Sequence, residues 1–255
     1  MKKNTLILII LLTSALSNTF AQEANDTPVS SAYIQLPVVS AYNWRGQIID
    51  DLPVVQPYMS ITHRGFTVSA WGNFSLDDKY TGKHDFSEID LTASYLIPVS
   101  FAEISVGIID YLPTVQADWE LHEMFLTAKY PNDWIIPRVE AYRSFNDYVG
   151  YYLLAGLSRQ FELSKKLALA ADFYSGFGSS KWNIYSFGVD GDRMNDGAVS
   201  LALKYQLGSA LYVTPSIKYA WLWDSKIQTG ADETLPAASS DSDMLIGCLS
   251  MEYSF

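Results

Sequence analysis

Read backwards from its last residue, the chain alternates almost without error. Phe255, Tyr253, Met251, Leu249, Gly247 and Leu245 fall on one face, while Ser254, Glu252, Ser250 and Cys248 fall on the other. A period of two puts the two sets on opposite sides of a sheet. The pattern recurs upstream. Val199, Leu201, Leu203, Tyr205 and Leu207 alternate with Ser200, Ala202, Lys204 and Gln206. Val213, Pro215, Ile217, Tyr219 and Trp221 alternate with Thr214, Ser216 and Lys218. Ile89, Leu91, Ala93 and Tyr95 oppose Glu88, Asp90, Thr92 and Ser94, and Leu167, Leu169, Ala171 and Phe173 oppose Ala168, Ala170, Asp172 and Tyr174. A helix needs apolar residues at spacings of three and four, which these segments lack. About twelve such segments occur, each near the ~10 residues of a tilted transmembrane strand. The pattern is weakest over Tyr33 to Trp44, apolar on both faces, and over Ile135 to Phe145, which carries a Pro and two Arg.

The connections test that reading independently. In an up-and-down membrane barrel with both ends on one side, short turns alternate with long loops. The short set is His63-Arg64-Gly65, Pro98 to Phe101, Pro131 to Asp133, Ser164 to Lys166 and Gly208-Ser209. The long set is Arg45 to Leu52, Leu76 to Asp85, Tyr111 to Asp118, Ser175 to Asp196 and Asp224 to Asp243, and only the connection at Asn146-Asp147 is short where a long one is expected. The expected fold is therefore all-β: a transmembrane antiparallel up-and-down β-barrel of about twelve strands. A soluble β-sandwich also uses alternating strands, but it would not place aromatics near the ends of nearly every one, as Tyr42 and Trp44, Phe66 and Phe74, and Trp221 and Trp223 do here.

The amino-terminus gives the address. Lys2 and Lys3 precede an unbroken apolar run from Leu6 to Leu12, and Thr19 and Ala21 are the small residues of a peptidase site. Residues 1–21 read as a cleaved signal peptide and 22–255 as the barrel, in the outer membrane of a Gram-negative-type cell. Tyr253 and Phe255 form an aromatic carboxy-terminus suited to the membrane interface, read as the assembly signal for the barrel-assembly machinery. Seventeen Tyr, 12 Phe and 7 Trp fit aromatic girdles. The formal charge of −11, which becomes −13 without Lys2 and Lys3, argues against nucleic acid. The single Cys248 excludes an internal disulfide and a cysteine-based metal site.

The segment from about Ala32 to Tyr111 resembles the TorF-type porin family, outer-membrane proteins of mostly undefined substrate. The residues that carry the resemblance are Ser40-Ala41-Tyr42-Asn43-Trp44-Arg45-Gly46, then Pro53, Gln56 and Pro57, Gly65-Phe66, Trp71, and Glu88-Ile89-Asp90-Leu91. It implies a porin-like barrel and leaves the cargo open.

Parity assigns the inward faces of such a barrel. They carry Glu88, Asp90, Glu103, Glu123, Glu140, Asp172 and Glu252 against Lys129, Arg138, Lys204 and Lys218. Mixed charges across a lumen keep it wet and let polar solutes pass, although the same charges could pair and plug it. Acidic loop residues, among them Asp50, Asp51, Asp77, Asp190 and Asp192, would make a mouth that concentrates cations. Arg45 has two readings, a guanidinium reaching into the pore mouth or a brace between the first loop and an acidic neighbour, and the brace is favoured. The function expected is passive diffusion of small polar solutes or ions, mildly cation-preferring, with outer-membrane lipids as surroundings, no cofactor and an undetermined oligomeric state.

Enzymatic readings are thinner. Serine hydrolysis needs a nucleophile beside an oriented His. Of three His, His63 falls in a turn and His84 in a loop. His122 faces outward near Asp110, but Ile108, Arg143 and Phe145 occupy the flanking outward positions. No residue is assigned a catalytic or metal-binding role. A lipid or peptide hydrolase and a plugged structural or adhesive barrel remain the alternatives.

Overall fold

The computed structural model describes residues 30–77, 85–114, 120–145, 150–234 and 243–255. Fifteen strands and two helices occur among them, in the order β1 (Ser30–Val39), β2 (Tyr42–Trp44), β3 (Gln47–Asp50), β4 (Val54–Val55), β5 (Tyr58–His63), β6 (Phe66–Ser75), β7 (Phe86–Ile97), β8 (Glu103–Pro113), β9 (Leu121–Lys129), β10 (Ile136–Ser144), β11 (Tyr151–Ser164), β12 (Leu167–Gly178), α1 (Ser180–Phe187), β13 (Arg193–Gln206), β14 (Leu211–Leu222), α2 (Ser225–Thr234) and β15 (Asp243–Ser254). Each barrel strand pairs antiparallel with its sequence neighbours, and β15 returns to pair with β1 from Tyr33↔Ser254 to Val39↔Cys248. β4 and β5 form one interrupted strand around Gln56-Pro57, because proline cannot donate to a ladder. The result is a closed antiparallel barrel of twelve strands. Among the described residues, closure leaves no barrel strand with an unpaired edge.

Alternation becomes orientation. Ile34, Leu36 and Val38 on β1, Met59 and Ile61 on β5, and Leu245, Leu249 and Met251 on β15 are exposed on the outside. Their alternates Gln35, Tyr58, Ser250 and Glu252 are buried inside. The segment over Tyr33 to Trp44, apolar on both faces as a sequence, is two structures: Tyr33 to Val39 lies in a barrel strand, and Tyr42 to Trp44 lies in a separate one.

The short turns follow from backbone chemistry. β5 and β6 meet through Arg64-Gly65, at φ 48° and 82°, between His63 and Phe66. Positive φ at both central positions is the two-residue turn whose twist matches antiparallel strands. Arg45-Gly46 repeats it at φ 45° and 80°, joining β2 to β3 between Trp44 and Gln47. This second hairpin makes a two-stranded sheet of its own, outside the barrel ladder.

The connection expected over Ser175 to Asp196 is shorter than its sequence suggests, because β12 runs on to Gly178 and β13 starts at Arg193. Between them lies α1. Ser179 caps it by accepting from Trp182 N–H, and Gly188 ends it at φ 68°. α2 lies across the same end. Phe187, Leu222 and Ile227 form a small core between the helices and the barrel rim. Gly230 is required there, since a Cβ would sit 2.3 Å from the Phe187 carbonyl.

Candidate functional site: a diaphragm across the lumen

The β2–β3 hairpin folds inward and crosses the barrel from wall to wall. Near its base, Tyr42 donates to Glu88 Oε2 of β7 at 3.1 Å and packs on Trp71 of β6. Asp50 accepts from Ser75 at 3.0 Å. At mid-length, Trp44 meets Tyr111 of β8 and Trp182 of α1 edge-on, the latter with ring centroids 5.4 Å apart. The tip reaches the far wall, where a Cβ on Gly46 would meet Leu222 at 2.4 Å and Asp196 at 2.8 Å. Lys218 of β14 donates to Asn43 at 3.1 Å. Trp44, Tyr111, Leu121, Tyr152 and Trp182 are all buried, so this level of the lumen is filled.

Arg45 is the centre of that plane. Its two terminal nitrogens donate to the two oxygens of Glu123 at 3.0 and 2.8 Å, a bidentate fork. Tyr111 donates to the same carboxylate at 2.9 Å. Four rings surround the guanidinium, those of Trp44, Tyr142, Tyr152 and Trp182, at 4.4 to 4.9 Å from centroid to Cζ. Desolvated cation–π contacts of this kind are worth about 2 kcal/mol or more. Lysine could not replace this arrangement, because only a planar fork stacks and bridges at once.

Below the diaphragm the interior is polar and ion-paired. Arg138 binds Asp172 with both terminal nitrogens and Glu140 through Nε at 3.1 Å. Lys204 pairs with Glu252 at 2.8 Å, and Thr214 donates to the other Glu252 oxygen at 2.7 Å. Lys129 pairs with Glu103 at 2.6 Å. Glu88, Asp90, Glu103, Glu123, Lys129, Arg138, Glu140, Asp172, Lys204, Lys218 and Glu252 all stand on inward positions of their strands. A second inward surface on β5 to β9 bears hydroxyls, including Ser60, Ser69, Thr92, Ser105 and Thr127, and is half-buried.

Several residues land elsewhere than their sequence position suggests. Arg45 lies inside the barrel, not at its mouth. Asp50, grouped above with the acidic loops, is buried at the hairpin base. Asp196 was missed: it sits on the inner wall of β13, buried, accepting from Tyr152 at 2.7 Å and Tyr174 at 3.0 Å. Asp196 and Ala198 point inward on the same parity as Lys204, Gly197 lies against Trp221 and Trp223, and the irregular pairing of β12 with β13 falls beside Asn195, which donates to Asn183. Phe177 belongs to β12 and stacks on Tyr151, outside any loop. His84, Asp78 and Asp241 lie outside the described residues.

His122 and Asp110 do meet on the outer face, and Phe145 stacks on the imidazole at 5.8 Å. The flanking outward positions hold Ile108, Met124 and Arg143, none of them a nucleophile. Tyr253 and Phe255 are exposed at the closing end with ring centroids 4.6 Å apart, and Phe255 N–H bonds the Ala32 carbonyl at 2.8 Å.

No protein-family model matches the chain, and no curated protein sequence does either. Solved structures do match. The NanC porin aligns with a TM-score of 0.52 at 8% identity, over 87% of this chain and 98% of that one. The KdgM porin in complex with disordered oligogalacturonate aligns with a TM-score of 0.51 at 12% identity, over 88% and 99%. An outer membrane channel from Pseudomonas putida F1 aligns at 0.48 with 11% identity, over 91% and 100%. At these identities the likeness is one of fold: this chain has the porin-type transmembrane barrel fold.

Proposed function

We propose that the chain is a porin-like channel of a bacterial outer membrane, passing small polar solutes by diffusion with a mild preference for cations. The observation that carries this is a closed barrel, apolar outside, whose interior carries charged side chains from β7 to β10 and from β12 to β15 around the aromatic plane at Arg45. A purely structural barrel could fill its interior with apolar side chains at less desolvation cost. The resemblance of residues 32–111 to TorF-type porins supports the same reading, as do the KdgM and NanC porins as fold neighbours. Residues 1–21 act as the cleaved export signal, the carboxy-terminal Tyr253 and Phe255 engage the barrel-assembly machinery, and the apolar exterior is solvated by membrane lipid.

Charge balance supports cation preference. Glu88, Asp90, Glu103, Glu123, Glu140, Asp172, Asp196 and Glu252 face inward against Arg45, Lys129, Arg138, Lys204 and Lys218. Four of those cations are ion-paired within the barrel, to Glu123, Glu103, Asp172 and Glu252. An acidic saccharide such as the one in the KdgM complex would meet few free cations here, so neutral or cationic solutes suit this lumen better. Single-channel recording of refolded protein across a salt gradient tests the reading. Stepwise conductance with a cation-directed reversal potential is expected, and anion selectivity would contradict it. The filled plane around Arg45 favours a second reading, a permanently plugged barrel, which predicts no conductance from the folded wild-type protein at any voltage.

A further inference from the structure

We propose that the β2–β3 hairpin is a gate, held shut by Arg45 on Glu123, that swings as a unit about its base to open the lumen. The inference rests on the channel reading above.

The hairpin can move without cost to the wall. It shares no ladder with the barrel, and its two strands bond only to each other. Its backbone is tied to the wall only at its base, where Ser40 N–H bonds the Gly247 carbonyl at 2.9 Å, Ser40 Oγ accepts from Gly247 N–H at 3.0 Å, and the Pro53 carbonyl accepts from Leu76 N–H at 3.3 Å. The two-residue Arg45-Gly46 turn is stiff, so the hairpin keeps its shape as it moves. What holds the hairpin across the lumen is side-chain chemistry. Arg45 bridges Glu123, Tyr42 donates to Glu88, Lys218 donates to Asn43, and Ser75 donates to Asp50. Only the first joins two full charges, and only it lies at the tip, where the lever arm is longest.

The closed plane also carries a standing cost. Both polar atoms of the Gln47 side chain, Trp44 Nε1 and Arg45 Nε are buried without a hydrogen-bond partner among the described residues. Such groups favour any state that returns them to water. Buried Tyr42 and Trp44, the rings around Arg45 and a few polar contacts therefore hold the hairpin against several unsatisfied groups, so two arrangements compete. Losing one partner of the buried pair removes the contact and strands the other charge, shifting the balance on the order of a hundredfold or more.

The test compares full-length mature protein in planar bilayers: wild type, Glu123→Gln, Arg45→Met, and a variant with residues 42–50 replaced by a short Gly-Ser linker. Heat-modifiable gel migration checks that each barrel is folded. Wild type is expected to open rarely, the two point variants to open roughly a hundredfold more often, and the linker variant to stay open. The native Cys248, inward and half-buried on β15 opposite Val39, gives a second readout. Its modification by a charged thiol reagent added from the loop side should accelerate in both point variants. If the linker variant conducts while Glu123→Gln and Arg45→Met behave as wild type by both readouts, the latch is refuted and the channel stands. Silence from a folded linker variant refutes the channel and the gate together. A wild type already as open as Arg45→Met refutes the gate.

Discussion

Arg138 shows what a single residue does inside this barrel. Its guanidinium satisfies Asp172 and Glu140 at once, and all three are buried. Space for it comes from Gly156 on the neighbouring strand, where a Cβ would lie 2.7 Å from Arg138 Cζ. Arg138→Ala therefore leaves Asp172 and Glu140 without a bonded cation, Glu140 keeping the Tyr142 hydroxyl, and should cost about 3–5 kcal/mol of barrel stability. The midpoint of thermal unfolding in detergent, followed by gel migration, measures it. The loop pair Arg193–Asp224, 3.1 Å apart and partly exposed, makes the contrast. Its removal should cost under about 1 kcal/mol, and less at high salt. Gly156→Ala should reproduce part of the Arg138→Ala loss without changing net charge, by pushing the guanidinium off Asp172.

The lid of α1 and α2 stands on different terms from the strands. It has little apolar core, and much of its order comes from carboxylates holding loop groups. The Ser180 hydroxyl and the Gly191 N–H bond Asp190, and Arg193 lies nearby, holding that carboxyl below the usual Asp range. Burial works against ionisation of Asp224, but the Lys226 and Ile227 N–H groups and the Arg193 side chain outweigh it and lower its value too. A carboxylate depressed in the folded state stabilises above its unfolded pKa, near 4, and loses that contribution as pH falls through the lowered value. Proteolysis of the 179–192 segment should therefore be slow and constant from pH 7 to 5 and accelerate below about 4, while the barrel itself resists. A lid whose protease sensitivity rose toward neutral pH would contradict this assignment. Gly230→Ala should loosen the same lid at every pH, by pushing α2 off Phe187.

At the scale of the whole molecule, the proposed channel makes charge and salt the determinants of selectivity. Lys218 is an inward cation whose partner is an amide, Asn43, with no carboxylate bonded to it among the described residues. Lys218→Met should move the reversal potential further toward cations, by removing a positive charge that no bonded carboxylate offsets. The shift should shrink as ionic strength rises, because the Debye length falls from about 10 Å at 0.1 M to about 3 Å at 1 M. A Lys218→Met channel with unchanged selectivity at low salt would place the ion path away from β14.

Strand number, orientation and inward charges were legible in the sequence because a barrel makes them local properties. Each strand needs only its period of two and its turn chemistry, and Arg64-Gly65 or Ser164 to Lys166 declare their turns within a few residues. Even Arg45 as a brace to an acidic neighbour could be read from type and position. Its location could not, because Glu123 lies 78 residues away and becomes its partner only when twelve strands close. The two Arg-Gly turns are alike in sequence and backbone, yet one caps a barrel hairpin and the other crosses the lumen. Nothing local distinguishes them: Arg64 ends strands that the wall has paired, whereas Tyr42 and Trp44 can be buried only against residues of β6, β7, β8 and α1. Asp196 escaped for another reason: it keeps the inward parity of Ala198 and Lys204, but β13 starts at Arg193, inside a stretch that reads as loop in the sequence. Local periodicity thus determined the wall, and long-range packing alone decided what fills it.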